Sequence, residues 1–284
     1  MRMLNAGCGA VFHADWVNID LVSSSPAVSA HDLTRGLAFE SGSFDVCYSS
    51  HVLEHLRSRE ASFFIEEQRR VLKPNGIIRV VVPDLEVICR NYLKYLGELL
   101  AGDLTHEFRY DYSLLELYDQ TTRNVTGGAL GRLWASGDIR DPDFVAERHG
   151  SEATCSVKRC SVTEAQENAR SRTSRIKRLL ARGRLRRLGS RARRFASEQA
   201  LRTLSGEGAV RALREGVFRR SGEIHRVMYD RYSLKRLLTS HGFANVKTCA
   251  ATESRIPGFS DFQLDVVDGI TSKPDSLFME ALRA

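Results

Sequence analysis

Leu4-Asn5-Ala6-Gly7-Cys8-Gly9, followed by Trp16-Val17-Asn18-Ile19-Asp20, decides the fold. A short apolar run ends in two glycines one residue apart, and a second apolar run ends in an acid. In an open α/β sheet the glycines let backbone approach a ligand at the carboxyl end of the first strand. The acid closing the second strand is placed to accept the hydroxyls of a ribose. The dinucleotide pattern G-x-G-x-x-G would need a third glycine where the chain has Phe12, so a pyrophosphate cradle is not expected.

Three further stretches follow in order. Ser29-Ala30-His31-Asp32-Leu33 reads as the end of a third strand, and Phe44 to Tyr48 as a buried fourth strand. Ser49 or Ser50 then caps a helix opening at His51. A second helix buries Phe63, Phe64, Val71 and Leu72 and pairs Glu66 with Arg70, and Lys73-Pro74-Asn75-Gly76 stops it. Ile77 to Val82 is the near-continuous apolar run of a central parallel strand.

Together, residues 2–84 resemble the class I S-adenosylmethionine-dependent methyltransferases, through Leu4–Gly9, Phe44-Asp45-Val46 with His51-Val52-Leu53-Glu54-His55-Leu56, and Arg70–Pro83. The resemblance implies an α/β fold: a Rossmann-like, seven-stranded, mostly parallel sheet of order 3-2-1-4-5-7-6. It implies S-adenosylmethionine as cofactor, with Asn5, Gly7, Gly9, Asp20, Asp32, Leu33 and Ser49 as its binding residues. Asn5 stands where many relatives carry an acid, and only six residues separate Gly9 from Trp16, too few for the usual crossover helix.

Near the end, Tyr232–His241 reads as an amphipathic helix stopped by Gly242, and Val246–Ala250 and Leu277–Leu282 as two last strands. This tail is similar to the family's sixth strand and antiparallel seventh, and to a bacterial subgroup of predicted methyltransferases. The expected organisation is therefore a core of 1–84 and 225–284 around a mainly helical insertion, 85–224, that acts as a lid. It opens with a helix carrying Val87, Ile88, Tyr92, Leu96 and Leu99.

Methyl transfer needs alignment, plus a base when the acceptor is a hydroxyl. The groups after strands four, five and six are His51, His55 and Asp84 as base candidates, with Glu253 and Arg255 for an anionic part of the substrate. Asp84 serves equally as a helix cap. The Asp/Asn-Pro-Pro-Tyr text of enzymes that methylate base amines is missing at Tyr48–His51, which disfavours nucleic-acid bases. The subgroup resemblance implies O-methylation of a saccharide or small metabolite. Two alternatives stand beside it: a non-catalytic scaffold whose basic arm binds membrane or RNA, and an RNA-modifying methyltransferase.

The formal charge of +7 is unevenly spread. Residues 170–194 hold twelve Lys or Arg and no Asp or Glu, so the rest of the chain is net acidic. Ile176, Leu179 and Leu180 lie along that segment, which fits peripheral contact with an anionic membrane better than nucleic acid, since Phe195 is its one aromatic neighbour. Six scattered cysteines, no membrane-length apolar run and no signal-peptide pattern lead us to expect a reduced, cytoplasmic protein, peripheral at most to the inner face of the membrane. Cys155 and Cys160, with His149 nearby, lack a fourth ligand at suitable spacing, so no metal is expected.

Overall fold

The computed structural model describes residues 1–150 and 182–284, with the side chains of 1–150 and 195–284. Cys155, Cys160 and residues 170–181 of the basic segment lie outside the described residues, as do the side chains of 182–194.

Strands β1 (Met3–Ala6), β2 (Val17–Asp20), β3 (Val28–Ala30), β4 (Phe44–Ser50), β5 (Leu72–Pro83), β6 (Phe243–Cys249) and, after a small hairpin of β7 (Val266–Val267) and β8 (Ile270–Thr271), β9 (Ser276–Arg283) make up the strands of the described chain. Seven of them form one sheet in the order β3-β2-β1-β4-β5-β9-β6. Strand β9 runs antiparallel to both β5 and β6, while β1 to β5 pair in parallel. Numbered within the sheet, this is the expected 3-2-1-4-5-7-6.

Period-two alternation sends Leu4, Ala6, Cys47, Ile78 and Val80 to one face, under α1 (Ser58–Val71) and the later helix α7 (Arg231–Ser240). Met3, Val46, Tyr48 and Val81 point to the other face. The helix expected to open at His51 does not form and a 3-10 turn at Leu53–His55 takes its place, while α1 is the expected second helix. Ser49 is buried inside β4, and the His51 N–H still bonds Val81 O (2.9 Å), so the strand ladder continues where a cap was expected. Phe63 is exposed. The partner of Arg70 is Glu67 (2.7 Å), not Glu66, because Glu67 also accepts the Leu37 N–H (2.7 Å) while Arg70 reaches Leu37 O and Phe39 O (both 2.8 Å).

Between β5 and β6 the chain builds α2 (Leu85–Leu100), α3 (Glu107–Thr122), α4 (Gly128–Ser136), the helical residues 142–150 (α5) and α6 (Arg182–Arg219), which breaks at Gly206. Tyr95, Tyr112, Leu130, Phe144 and Val145 give these helices a small core of their own.

Strands β1 and β2 pair in parallel, Leu4 against Val17, with no helix between them. The loop is pinned instead by Asn5 Nδ2 donating to Val11 O (3.1 Å) and Asn18 Nδ2 donating to His13 O and Trp16 O (both 2.9 Å). The sheet face that a crossover helix would cover is covered from the far end of the chain. Ile256, Phe259 and Leu264 pack on Trp16, Tyr48 and Val81, and the Trp16 ring lies 5.4 Å from Phe262 and 6.3 Å from Phe259.

Arg79, fully buried within the apolar run of β5, clamps this cover. Its Nε donates to Asp265 (2.7 Å) and its Nη1 to Glu280 and to Glu253 O (both 2.8 Å), and the guanidinium lies 4.6 Å over the Phe259 ring. Removing one partner of such a buried group leaves the others uncompensated. Arg79→Met is expected to cost about 3–5 kcal/mol, read from urea unfolding midpoints at unchanged slope, and Arg79→Lys should recover little because a point charge cannot replace the fork.

Candidate functional site

The carboxyl ends of β1, β2 and β4 surround one cleft of about 640 Å³, lined by Gly7, Asp20, Asp32, Leu33, Val52 and His51 among others. Gly7 has φ 77°, and a Cβ there would stand 2.3 Å from Val52 Cγ2. The backbone can therefore come this close only without a side chain. Gly9 has φ 55° with open space around it. Asp20 Oδ2 accepts the Gly9 N–H (2.8 Å), so the acid and the glycine turn hold each other in place. Asp32 caps a short 3-10 turn over Leu33–Arg35, and its Oδ1 accepts from the Thr34 N–H (3.1 Å) and hydroxyl (2.7 Å). Leu33 adds an apolar wall.

A second cleft of about 650 Å³ lies between the sheet and the insertion, lined by Ile88, Glu116, Arg123, Trp134, Lys273 and Asp275 among others. His51 and His55 line both clefts. They reach this position because His51 takes a left-handed backbone (φ 54°) at the end of β4 and the chain then closes a 3-10 turn at Leu53–His55. His51 Nε2 lies 2.8 Å from Ser276 Oγ, and its Nδ1 lies 3.5 Å from Glu54 Oε1. Burial, helped by the Lys273 charge, lowers the His51 pKa to about 3, so its ring is neutral at physiological pH. Glu54 is fully buried, and burial pushes its carboxyl up to about 8.

The wall of the second cleft carries charge at depth. Arg148 donates to Glu116 from Nη2 (2.8 Å) and Nε (3.1 Å), and His149 lies between Glu116 (3.6 Å) and Asp275 (3.3 Å). Glu223 ties the segment after α6 to the insertion by accepting the Gly127 N–H (2.9 Å), and the His225 N–H donates to Gln120 O (3.0 Å). His225 thereby comes edge-on to His55, ring centres 4.8 Å apart.

Gly7, Asp20, Asp32, Leu33, His51 and His55 come together around the first cleft, with Gly9 held to it through Asp20. The other chosen residues do not. Asp84 is the N-cap of α2, its Oδ1 accepting the Glu86 N–H (2.9 Å). Asn5 and Ser49 are buried in β1 and β4 and line neither cleft. Glu253 and Arg255 sit beside the Arg79 clamp: Arg255 Nη1 donates to Asn245 O (2.8 Å), its N–H to Glu280 (2.8 Å), and Glu253 Oε2 accepts the Ala250 N–H (3.3 Å). The long 253–265 connector covers the core. Glu116, His225 and Asp275 were missed, and His149 was weighed only beside Cys155 and Cys160, because sites drawn from distant segments leave no local spacing to read.

Known proteins agree with this arrangement at the level of the domain. Residues 20–80 match the methyltransferase domain. The match runs from the acid closing β2 into β5 and covers less than half of the chain. Among solved structures the chain is similar to a [4+2]-cyclase (24% identity, 28% of this chain and 38% of that one, TM-score 0.24). It is also similar to the Burkholderia thailandensis 1,6-didemethyltoxoflavin-N1-methyltransferase, solved with 1,6-didemethyltoxoflavin and S-adenosylhomocysteine (17%, 29% and 44%, 0.25). A third is an S-adenosylmethionine-dependent methyltransferase from Methanosarcina mazei (21%, 33% and 59%, 0.26). The chain spans less than two thirds of each. No curated protein matches. The resemblance to class I S-adenosylmethionine-dependent methyltransferases holds in the domain match and in the strand order.

Gly7→Ala combines a strained backbone with a collision, and an expected loss of about 2–4 kcal/mol follows. Gly9→Ala, with open space around it, should lose only about 1–2 kcal/mol. Thermal and urea melts of the two variants check the difference, and adding Val52→Ala to Gly7→Ala should return the collision part alone.

Proposed function

We propose that this chain is an S-adenosylmethionine-dependent methyltransferase acting on a hydroxyl oxygen of a saccharide or small metabolite. One observation carries the reading: the glycine-and-acid cleft and the second, charged cleft share a wall made of His51 and His55. A donor in one and an acceptor in the other would meet there.

The first cleft fits the donor. Gly7 supplies the close backbone approach and Asp20 keeps lone pairs for ribose hydroxyls, while Asp32 and Leu33 flank the space for the base. The bound donor supplies an electrophilic sulfonium methyl group. The chain's own task is then alignment and removal of one proton. An alkyl oxygen becomes strongly acidic as it gains the methyl group, so even the weakly basic, neutral His51 ring suffices to take that proton, with Ser276 holding its orientation. Asp84, occupied as a cap, is the weaker base candidate.

In the same reading residues 1–84 and 225–284 are the cofactor-binding core, and 85–224 is a lid. Ile88, Arg123 and Trp134 supply its wall of the acceptor cleft. Contact of residues 170–194 with an anionic membrane at the cytoplasmic face rests on their charge alone. No helix among the described residues is long and apolar enough to cross a membrane.

Asp20→Ala should weaken binding of S-adenosylmethionine and S-adenosylhomocysteine at least about tenfold in calorimetry, the worth of a charge-assisted hydrogen bond. His51→Gln should leave that affinity alone and lower turnover with a hydroxyl acceptor by about 10²–10⁴, measured as S-adenosylhomocysteine release. Unchanged donor binding in Asp20→Ala would remove the basis of the reading.

A further inference from the structure

We infer that Glu54, His55 and His225 form a binding site for one divalent first-row transition-metal ion, opening onto the acceptor cleft. One ligand atom from each of the three lies within 4.8 Å of the others. Glu54 is fully buried, and neither of its carboxylate oxygens has a hydrogen-bond partner among the described residues. A buried carboxyl group without a hydrogen-bond partner is costly, and a coordinated cation is one way to satisfy it. Two histidines face it from opposite flanks, yet neither pairs with it: His51 Nδ1 stands at 3.5 Å and His55 Nε2 at 3.9 Å from Oε1. Those spacings are too long for hydrogen bonds. The His55 spacing, the one of the two that belongs to the ligand set, lies a few tenths of an ångström outside the roughly 3.0–3.5 Å between two ligand atoms that share an ion at about 2.0–2.2 Å.

The histidines are prepared for the role. His55 Nδ1 meets Ile224 O at 3.4 Å, an acceptor only, so the proton sits on Nδ1 and the Nε2 lone pair faces Glu54. His225 is buried, and its Nδ1 has no partner among the described residues. Its backbone N–H bond to Gln120 O fixes its position against His55. Two imidazoles and one carboxylate leave coordination positions open, here toward the cleft that His55 and His225 line.

A second acid–histidine group, Glu116, His149 and Asp275, does not compete. Its ligand atoms lie within the same 4.8 Å, but Glu116 is already held by Arg148 at 2.8 Å, whereas the carboxylate oxygens of Glu54 have no hydrogen-bond partner among the described residues. Use of the ion in catalysis rests on the methyl-transfer reading above. An acceptor hydroxyl bound to it is acidified, its proton passes to His51, and the oxygen takes the methyl group as the carbon–sulfur bond of the donor breaks, leaving the thioether.

The test is on the full chain, stripped with EDTA and titrated with Zn²⁺, Co²⁺ or Mn²⁺ in the absence of methyl donor. Retained metal is measured by mass spectrometry after gel filtration, and the visible spectrum of the Co²⁺ form reports its ligands. Wild type should retain one equivalent of at least one ion. Glu54→Gln and His225→Gln should weaken retention by more than the roughly 10–100-fold typical of an outer-shell partner. Asp275→Asn should leave stoichiometry and affinity unchanged. If Glu54→Gln fails to fold, His55→Gln takes its place beside His225→Gln. Wild type that is folded by circular dichroism yet retains none of the three ions overturns the site, as does retention abolished by Asp275→Asn but kept by His225→Gln. Because no donor is present, failure here is distinct from failure of methyl transfer.

Discussion

A buried guanidinium organises this molecule. Arg79 occupies a position that a central strand normally gives to an aliphatic side chain, and it is tolerated because Asp265, Glu280 and backbone carbonyls of residues 251 and 253 saturate its fork. Tyr48 donates to the other oxygen of Asp265 (2.5 Å), so β4, β5, β9 and the 253–265 segment meet at one charge cluster. Replacing such a cluster by apolar groups can be neutral in stability. Here it does what apolar packing would do less specifically: it sets the register of an irregular segment against the sheet.

That segment is needed because of an economy at the other end of the chain. With no helix between β1 and β2, one sheet face would be open to water. Trp16 and the Ile256, Phe259 and Leu264 cover close it from residues more than two hundred positions apart. The consequence for function is geometric. The 253–265 connector covers the core, and the second cleft takes its walls largely from the insertion and from the 223–228 and 273–275 segments.

The partition between the two clefts rests on a similar local exception. His51 adopts a left-handed backbone that few residues with side chains accept, and this turns the chain at the end of β4 into a tight 3-10 turn instead of a helix. The turn buries Glu54 and leaves His51 and His55 on the partition between the two clefts. A helix beginning at His51 would have followed a different path away from the sheet.

Local features of the chain were legible without coordinates wherever one residue type meets one backbone need. The paired glycines and Asp20 marked the end of the first two strands, the apolar run at 77–82 marked the central strand, and Gly242 ended the last helix. The sheet order followed from the family resemblance that the ordered motifs carry. Side-chain partners were less legible: Glu66, four residues before Arg70, and Glu67, three before it, are both at helical spacing, and only the position of the Leu37 loop selects Glu67. Of the two roles the sequence offered Asp84, the structure shows the helix cap, and Asn5 spends its amide on the Val11 carbonyl.

By itself, then, the sequence determined the type of the core strands and the cradle that ends the first two, while their order in the sheet came with the family resemblance. Strand type and cradle depend on periodicity, glycine conformation and terminal acids, all of which act over a few residues. Tertiary structure alone decided that Arg79 is a core residue, that the 253–265 connector is a cover, and that Glu54, His55 and His225 converge. Burial and convergence depend on which distant segments pack together, and the spacing of residues along a chain carries no record of that.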